Sequence, residues 1–251
     1  MKRIVAFLLL AISSVTAVAQ QATIRFDFGS GRVMKGYTAV AASTRYSDET
    51  GYGFDKHSLS LEAVDAGTTD PLTSDHITSN KPFYFSVKLP EGNYDVKLIM
   101  GDPNGTSSAT IRTECRRLMV EKMSTTKGKF ATLRFTVHVK DSLIRDAAGT
   151  VVNNVRLKER ELNYLHWDHK LTIEFNGEAP KICAMEITPN KTATTVFLAG
   201  NSTVVDQDKE PWAAWGQIIP SFFQPGKIAI ANYAESGETL NSFRSARRLE
   251  K

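Results

Sequence analysis

Residues 83–100 read FYFSVKLPEGNYDVKLIM, and this stretch decides the fold of the N-terminal part of the chain. Apolar and polar residues alternate on both sides of a Pro-Glu-Gly-Asn segment at 90–93, which is the pattern of β-strands with one buried face. Gly92 and Asn93 tolerate the positive φ that a tight turn needs. The stretch therefore predicts a β-hairpin.

The same sequence pattern of short strands and turns extends over residues 20–188. Alternating segments predict further strands at 24–28, 109–113, 118–120, 130–139, 154–157, 171–175 and 182–187. Because no convincing amphipathic helix separates them, we expect a β-sandwich of the jelly-roll type.

A different pattern begins at residue 194, after a linker. Thr195–Ala199 is a continuous apolar run, which predicts a strand buried on both faces. A helix is predicted over 212–223, with Trp212 and Trp215 on one face, followed by a second buried strand at 227–231 and a second helix at 239–251. Strand, helix, strand and helix form the start of a parallel α/β sheet. Since two buried parallel strands need more sheet and more helices to cover them, we expect residues 194–251 to be an incomplete domain of a longer protein.

Two polar loops follow the two strands of this second segment. Ser202 stands in LAGNSTV directly after the first strand, and Gly237 stands in NYAESGET after the next. Ligands gather at the carboxyl ends of strands in open α/β sheets. A serine hydroxyl at this edge can act as a nucleophile, and the backbone N–H groups of Ser202 and Gly237 can donate to a developing oxyanion.

These two blocks resemble the SGNH (GDSL) hydrolases, in particular the rhamnogalacturonan acetylesterase group. The resemblance implies a three-layer α/β hydrolase domain, with Ser202 as the nucleophile and Gly237 in the oxyanion hole. It also implies ester hydrolysis without cofactor or metal, with acetylated pectin or a similar plant cell-wall polysaccharide as substrate. The family's remaining oxyanion Asn and its Asp-x-x-His block are missing, and no histidine follows Ser202. We therefore expect this chain to lack the catalytic Asp and His and to be nearly inert by itself.

The predicted sandwich is similar to the galactose-binding-like and malectin-like modules that accompany carbohydrate esterases. The segments that carry this likeness are 24–29, 51–54 and 83–89. Tyr46, Tyr52 and Trp167 could stack on sugar rings, although packing in the core or contact at the rim is the commoner role for any one such side chain. A carbohydrate-binding module without catalytic activity is therefore the alternative function, and a purely structural domain is a third.

The N-terminus and the composition set the expected compartment and partners. Residues 1–19 have the basic, apolar and small-residue regions of a secretory signal peptide, so we expect a secreted or periplasmic protein. The formal charge is +4 and its basic residues are scattered, which argues against nucleic acid as a partner, and no later apolar run is long enough to span a membrane. The turn at 166–169, His-Trp-Asp-His, is interpreted as solvated rather than as a metal site. Cys115 and Cys183 could form a disulfide or remain buried thiols.

Overall fold

The computed structural model describes residues 22–58 and 60–251, so the predicted signal peptide at 1–19 lies outside the described residues. The chain is mostly β. Its strands, in chain order, are β1 Ile24–Phe28, β2 Thr38–Val40, β3 Tyr52–Phe54, β4 Glu62–Asp65, β5 Asp75–Thr78, β6 Phe83–Lys88, β7 Gly92–Gly101, β8 Ser107–Thr113, β9 Arg117–Thr125, β10 Phe130–Val139, β11 Leu143–Arg145, β12 Val151–Asn154, β13 Lys170–Ala179, β14 Lys181–Pro189, β15 Thr194–Leu198 and β16 Ile228–Asn232. The helices are α1 Trp215–Ile218, α2 Leu240–Ser245 and the 3-10 turns Glu159–Asn163 and Ile219–Phe222.

Two large sheets and a separate antiparallel pair, β11 with β12, make up the N-terminal part. The first is seven-stranded, in the order β10-β7-β14-β1-β2, with β5 joined to β14 and β4 joined to β5. The second is five-stranded, in the order β3-β6-β13-β8-β9. The pairings are antiparallel except for β1 with β2. The predicted sandwich is therefore present, with its core between the two sheets.

Aromatic side chains dominate this core. Phe28 and Phe85 come from opposite sheets, are both fully buried, and bring their ring centroids within 4.9 Å in an edge-to-face contact. Phe83 and Phe175 stack at the same centroid distance on neighbouring strands. Each such ring removes a large apolar area from water, so this cluster supplies a major part of the driving force for folding the sandwich.

The hairpin predicted for residues 83–100 is wrong. Strand β6 pairs with β3 and β13 in the five-stranded sheet, whereas β7 pairs with β10 and β14 in the other sheet. The segment between them crosses from one sheet to the other. Both strands do alternate as predicted, but a strand that faces its predecessor across a core shows the same alternation as one that pairs with it.

The C-terminal segment is less regular than predicted. Strands β15 and β16 are parallel, as expected, and β16 is largely buried. Strand β15 is not buried on both faces, because Phe197 is 58% exposed. The helix predicted over 212–223 is reduced to α1 and a 3-10 turn, and the one predicted over 239–251 to α2. Trp212 and Trp215 are exposed instead of lying on a packed face.

The two cysteines are free thiols. Cys115 lies in the β8–β9 turn and Cys183 on β14, and both side chains are buried. Burial raises the pKa of both thiols well above the ordinary value, which keeps them protonated and unreactive at neutral pH. The sequence left a disulfide and two buried thiols as alternatives, and the structure has the buried thiols.

Candidate functional site at two strand ends

The two loops that carry Ser202 and Gly237 leave the same edge of the β15–β16 pair. Leu198 and Asn232 are register partners at the carboxyl ends of the two strands. Beyond them the Tyr233 N–H donates to the Leu198 carbonyl at 2.9 Å, and the Glu235 N–H donates to the Gly200 carbonyl at 3.2 Å. The loops are therefore tied together directly, as expected for neighbouring parallel strands.

Ser202 is exposed at the start of its loop. Its carbonyl accepts a hydrogen bond from Gln207 Nε2 at 3.0 Å, and its hydroxyl has no hydrogen-bond partner in the described part of the chain. Asn201 closes the turn around it, since the Asn201 carbonyl accepts from the N–H groups of Val204 and Val205. The hydroxyl is thus free to meet a ligand from solvent.

Gly237 is also exposed and adopts a φ of +76°, which favours glycine. Its loop is held by the connection between β12 and β13. Lys158 Nζ donates to the Ser236 carbonyl at 2.8 Å and pairs with Glu238 at 2.7 Å. Burial alone would raise the pKa of Glu238, but the hydrogen bonds from Lys158 and Ser242 outweigh it and hold the pKa below the usual value. Glu238 is therefore a carboxylate at neutral pH that fastens this loop.

A second ion pair holds the same loop. Arg160 Nε donates to Glu235 Oε1 at 2.7 Å, and the Glu235 side chain is almost fully buried. Burial raises the pKa of Glu235, and the hydrogen bond and charge of Arg160 oppose that rise. Because Lys158 and Arg160 both belong to the connection between β12 and β13, that connection shapes the loop of Gly237.

A cavity of about 310 Å³ opens between the two loops. The residues that line it are Ala199, Gly200, Asn201, Glu238, Thr239, Leu240, Phe243 and Leu249. Its lining contains the immediate neighbours of Ser202 and of Gly237, so a ligand in this cavity would meet both loops. The lining is mostly apolar with a few polar groups, which is the usual composition of a small-molecule site.

Thr239 caps helix α2 at the wall of this cavity. Its side-chain oxygen accepts from the Ser242 N–H at 3.2 Å, and the Ser242 hydroxyl accepts from the Thr239 N–H at 2.8 Å. We expect Thr239→Ala to lower the free energy of unfolding by about 1 kcal/mol, because the N–H of the third helical residue loses its partner. Urea denaturation measures this, and Thr239→Ser, which keeps the oxygen, should retain most of the stability. Equal losses in both variants would contradict the capping role.

A buried polar network lies beneath the two loops. Arg117 of β9 donates from Nη2 to Asp206 Oδ2 at 2.8 Å, and both side chains are almost fully buried. Asn232 Nδ2 donates to the other oxygen, Asp206 Oδ1, at 2.8 Å. Lys140 reaches the Asn232 carbonyl and lies 4.3 Å from the centroid of the Trp167 ring. Burial lowers the pKa of Lys140 to about 7.

The interpretation of the turn at 166–169 as solvated is wrong for its first two residues. His166 and Trp167 are buried, and only His169 has an exposed side chain. His166 Nδ1 lies 3.9 Å from Asp206 Oδ2, and neither ring nitrogen has a hydrogen-bond partner within the described residues. Burial lowers the pKa of His166 to about 3, so it is neutral at pH 7. Among the described residues, no cluster of three or more His, Cys, Asp or Glu side chains could hold a metal ion.

Sequence reasoning missed the residues that join the two parts of the chain. Arg117 and Asp206 are 89 positions apart, and Arg160 and Glu235 are 75 apart. Isolated charged residues in a sequence give no sign of a partner at such a distance. Asp206 differs in one respect, because it follows Ser202 closely in the same loop.

Two comparisons with known proteins relate this chain to esterases. Residues 24–145 match a family model described as "Beta-agarase/YXIM esterase-like, galactose-binding domain-like". Residues 24–145, which hold much of the sandwich, are therefore similar to a galactose-binding-like domain. The chain is also 28% identical, over 238 residues, to the uncharacterized esterase YxiM of Bacillus subtilis strain 168. These findings support a relation to YxiM-like esterases.

The alignment with YxiM covers 92% of this chain and 56% of YxiM, so the chain spans little more than half of that relative. The crystal structure of B. subtilis YxiM superposes with a TM-score of 0.48 at 26% identity, over 89% of this chain and 57% of that one. The plant receptor-like kinase FER superposes with a TM-score of 0.41 at 12% identity, over 70% and 44% of the two chains. None of the helices in the described residues has the length and apolar character that crossing a bilayer requires.

Proposed function

We propose that this chain is the N-terminal part of a secreted carbohydrate esterase that removes O-acetyl groups from a pectin-type polysaccharide. The observation that carries the proposal is the hydrogen-bonded pair of loops at one edge of β15 and β16, with Ser202 on one loop and Gly237 on the other. The similarity to the esterase YxiM and the galactose-binding-domain-like sandwich support the same class of function.

The proposed chemistry uses a covalent intermediate. The Ser202 hydroxyl attacks the carbonyl carbon of the acetyl ester and gives its proton to a base, while the N–H groups of Ser202 and Gly237 stabilise the oxyanion. The sugar hydroxyl leaves with a proton, and water then cleaves the acetyl-serine to release acetate. A base is essential because a serine hydroxyl is a weak nucleophile at neutral pH.

In this proposal the base comes from outside the described site. No histidine follows Ser202 in the sequence, and the buried His166 is closed off from a substrate in solvent. The proposal therefore places the base and its acid in sequence downstream of residue 251, in the Asp-x-x-His block that the SGNH resemblance implies.

Acetate release tests this function. The protein with its native downstream sequence should liberate acetate from acetylated pectin and should release no methanol from methyl-esterified pectin that lacks acetyl groups. Chemically deacetylated pectin is the matched control substrate. Failure to release acetate from any acetylated polysaccharide or from a small acetyl ester would overturn the esterase assignment.

The second candidate is a carbohydrate-binding module, which the match of residues 24–145 favours. Calorimetry with deacetylated pectin and xylan fragments tests it independently of hydrolysis. Saturable binding without acetate release would support the carbohydrate-binding function. If no glycan gives a measurable heat of binding, the sandwich has a structural role instead.

A further inference from the structure

The tip of the β8–β9 turn has an unusual backbone. Glu114 and Arg116 both adopt positive φ values, +53° and +58°, although neither is glycine. Such conformations persist only where the surroundings hold them. The turn lies against the C-terminal segment, because Arg116 Nη1 donates to the carbonyls of Gln207 at 3.2 Å and Trp212 at 3.1 Å.

The side chain of Arg117, the next residue, is buried against the C-terminal segment. Its side chain is 1% exposed and donates to Asp206 Oδ2 from both Nε, at 3.2 Å, and Nη2, at 2.8 Å. Its Nη1 donates to the Ile230 carbonyl on β16 at 3.2 Å. One guanidinium from the sandwich therefore bonds both to the loop of Ser202 and to the strand that leads to Gly237.

Asp206 links Arg117 to the end of β16 through a second hydrogen bond. While Oδ2 accepts from Arg117, Oδ1 accepts from Asn232 Nδ2, which also donates to the Val204 carbonyl at 2.7 Å. Asn232 is the last residue of β16. Burial alone would raise the pKa of Asp206, but the charge of Arg117, the contact with His166 and the charge of Lys140 together hold it well below the usual value. Asp206 is thus an anion that fixes the two strand ends relative to each other.

A second route reaches Ser202 itself. Gln217 Nε2 donates to the Arg116 carbonyl at 3.0 Å and to the Gln207 carbonyl at 3.1 Å. Gln207 in turn donates from its side chain to the Ser202 carbonyl. The backbone of the β8–β9 turn is therefore connected to the candidate nucleophile through two glutamines.

We propose that Arg117 is a positioning residue for the esterase site, through which the sandwich orders the loops of Ser202 and Gly237. This inference rests on the proposed function for its catalytic consequence. It makes the sandwich a structural part of the site, whether or not the sandwich also binds sugar. The alternative is that the Arg117–Asp206 pair stabilises the whole protein without any local effect on the loops.

Hydrogen–deuterium exchange separates these two roles. In Arg117→Met we expect amide exchange at 200–206 and 233–238 to rise at least tenfold, while exchange in β7 and β14 stays within a factor of about two. Arg134→Met is the matched control, since Arg134 is exposed on β10 of the same sandwich. An equal rise in all segments, or no rise at the two loops, would overturn the positioning role.

A double variant tests the same role without leaving an unpaired buried charge. Arg117→Met leaves the Asp206 charge buried without its partner, which can unfold a protein, whereas replacing both members of a buried pair with apolar residues is often tolerated. In Arg117→Met/Asp206→Leu we expect a native circular dichroism spectrum with the same local rise in exchange at the two loops. A folded double variant with wild-type loop exchange would contradict the proposal.

Kinetics on the protein with its downstream sequence add the catalytic readout. We expect kcat for acetate release to fall about 100-fold in the double variant with KM within a factor of about three, because small displacements of a nucleophile lower the rate of the chemical step. An unchanged kcat would overturn the catalytic consequence. If the wild-type protein releases no acetate, the proposed function fails, and the exchange experiment still decides whether Arg117 orders the loops.

Discussion

Replacing Ser202 with alanine should abolish acetate release by the protein with its native downstream sequence, with kcat falling by roughly 10⁴-fold or more. The hydroxyl is the only group lost, and the proposed acetyl-serine intermediate cannot form without it. Acetate release from acetylated pectin under saturating substrate is the direct measurement. The loss should be in kcat, since the groups that would bind the polysaccharide are unaffected.

Stability should not change in this variant. Ser202 is exposed, and its hydroxyl has no hydrogen-bond partner among the residues that the structure describes, so alanine removes no stabilising contact. Ser236→Ala is the matched control on the neighbouring loop, because the bond that Lys158 makes to residue 236 is to its backbone carbonyl. Retention of wild-type activity in Ser202→Ala, or an equal loss in Ser236→Ala, would rule out Ser202 as the nucleophile.

Much of the sandwich could be predicted from the sequence because local alternation reports burial directly. The predicted strands at 24–28 and 130–139 agree with β1 and β10 to the residue. What alternation cannot report is which strand pairs with which. Residues 83–100 show this limit, since their two strands lie in different sheets although their pattern is that of a hairpin.

The candidate site was predictable only in its topology. Two parallel strands each followed by a polar loop place those loops at one edge, and the contact between Glu235 and Gly200 agrees with that rule. Phe197 shows where the reasoning failed. Its apolar run predicted a strand buried on both faces, but burial depends on what packs against a strand, which a five-residue pattern does not contain.

The groups that hold the site together were not predictable. Arg117 and Asp206 meet only because the β8–β9 turn packs on the C-terminal segment, and that packing is a property of the whole fold. Tertiary contacts of this kind also explain why His166 is buried although the turn at 166–169 carries three ionisable side chains. The sequence around it favours an exposed turn, whereas the structure places it between the sandwich and the C-terminal segment.

His166 should make the protein sensitive to acid, and His166→Leu should remove the share of this sensitivity that His166 contributes. Burial, with the nearby charges of Lys140 and Arg117, lowers the pKa of His166 to about 3, against an ordinary value of 6.5, and the charge of Asp206 only partly offsets this. Between these values the unfolded chain binds a proton that the folded chain does not, so the free energy of unfolding falls as the pH falls through this window.

The expected size is large for one side chain. The difference in unfolding free energy between His166→Leu and wild type should shift by about 3 kcal/mol in favour of the variant between pH 6.5 and pH 4. The wild-type curve also contains other groups: burial lowers the pKa of His138 to about 3, which acts in the same direction as His166, and raises the pKa of Asp27 and Asp168 to about 6, which acts in the opposite direction. The comparison of variant with wild type cancels those contributions and isolates the histidine.

Urea denaturation at half-unit steps of pH measures the effect, and Tyr164→Phe is the control. The Tyr164 ring contacts the His166 ring with centroids 5.4 Å apart, and its pKa is raised to about 12, so it carries no charge in this window. Its difference from wild type should be the same at every pH from 4 to 6.5. A His166→Leu difference that is equally flat would mean that His166 is solvated in the folded protein, and the buried contact between the sandwich and the C-terminal segment would then be wrong at this point.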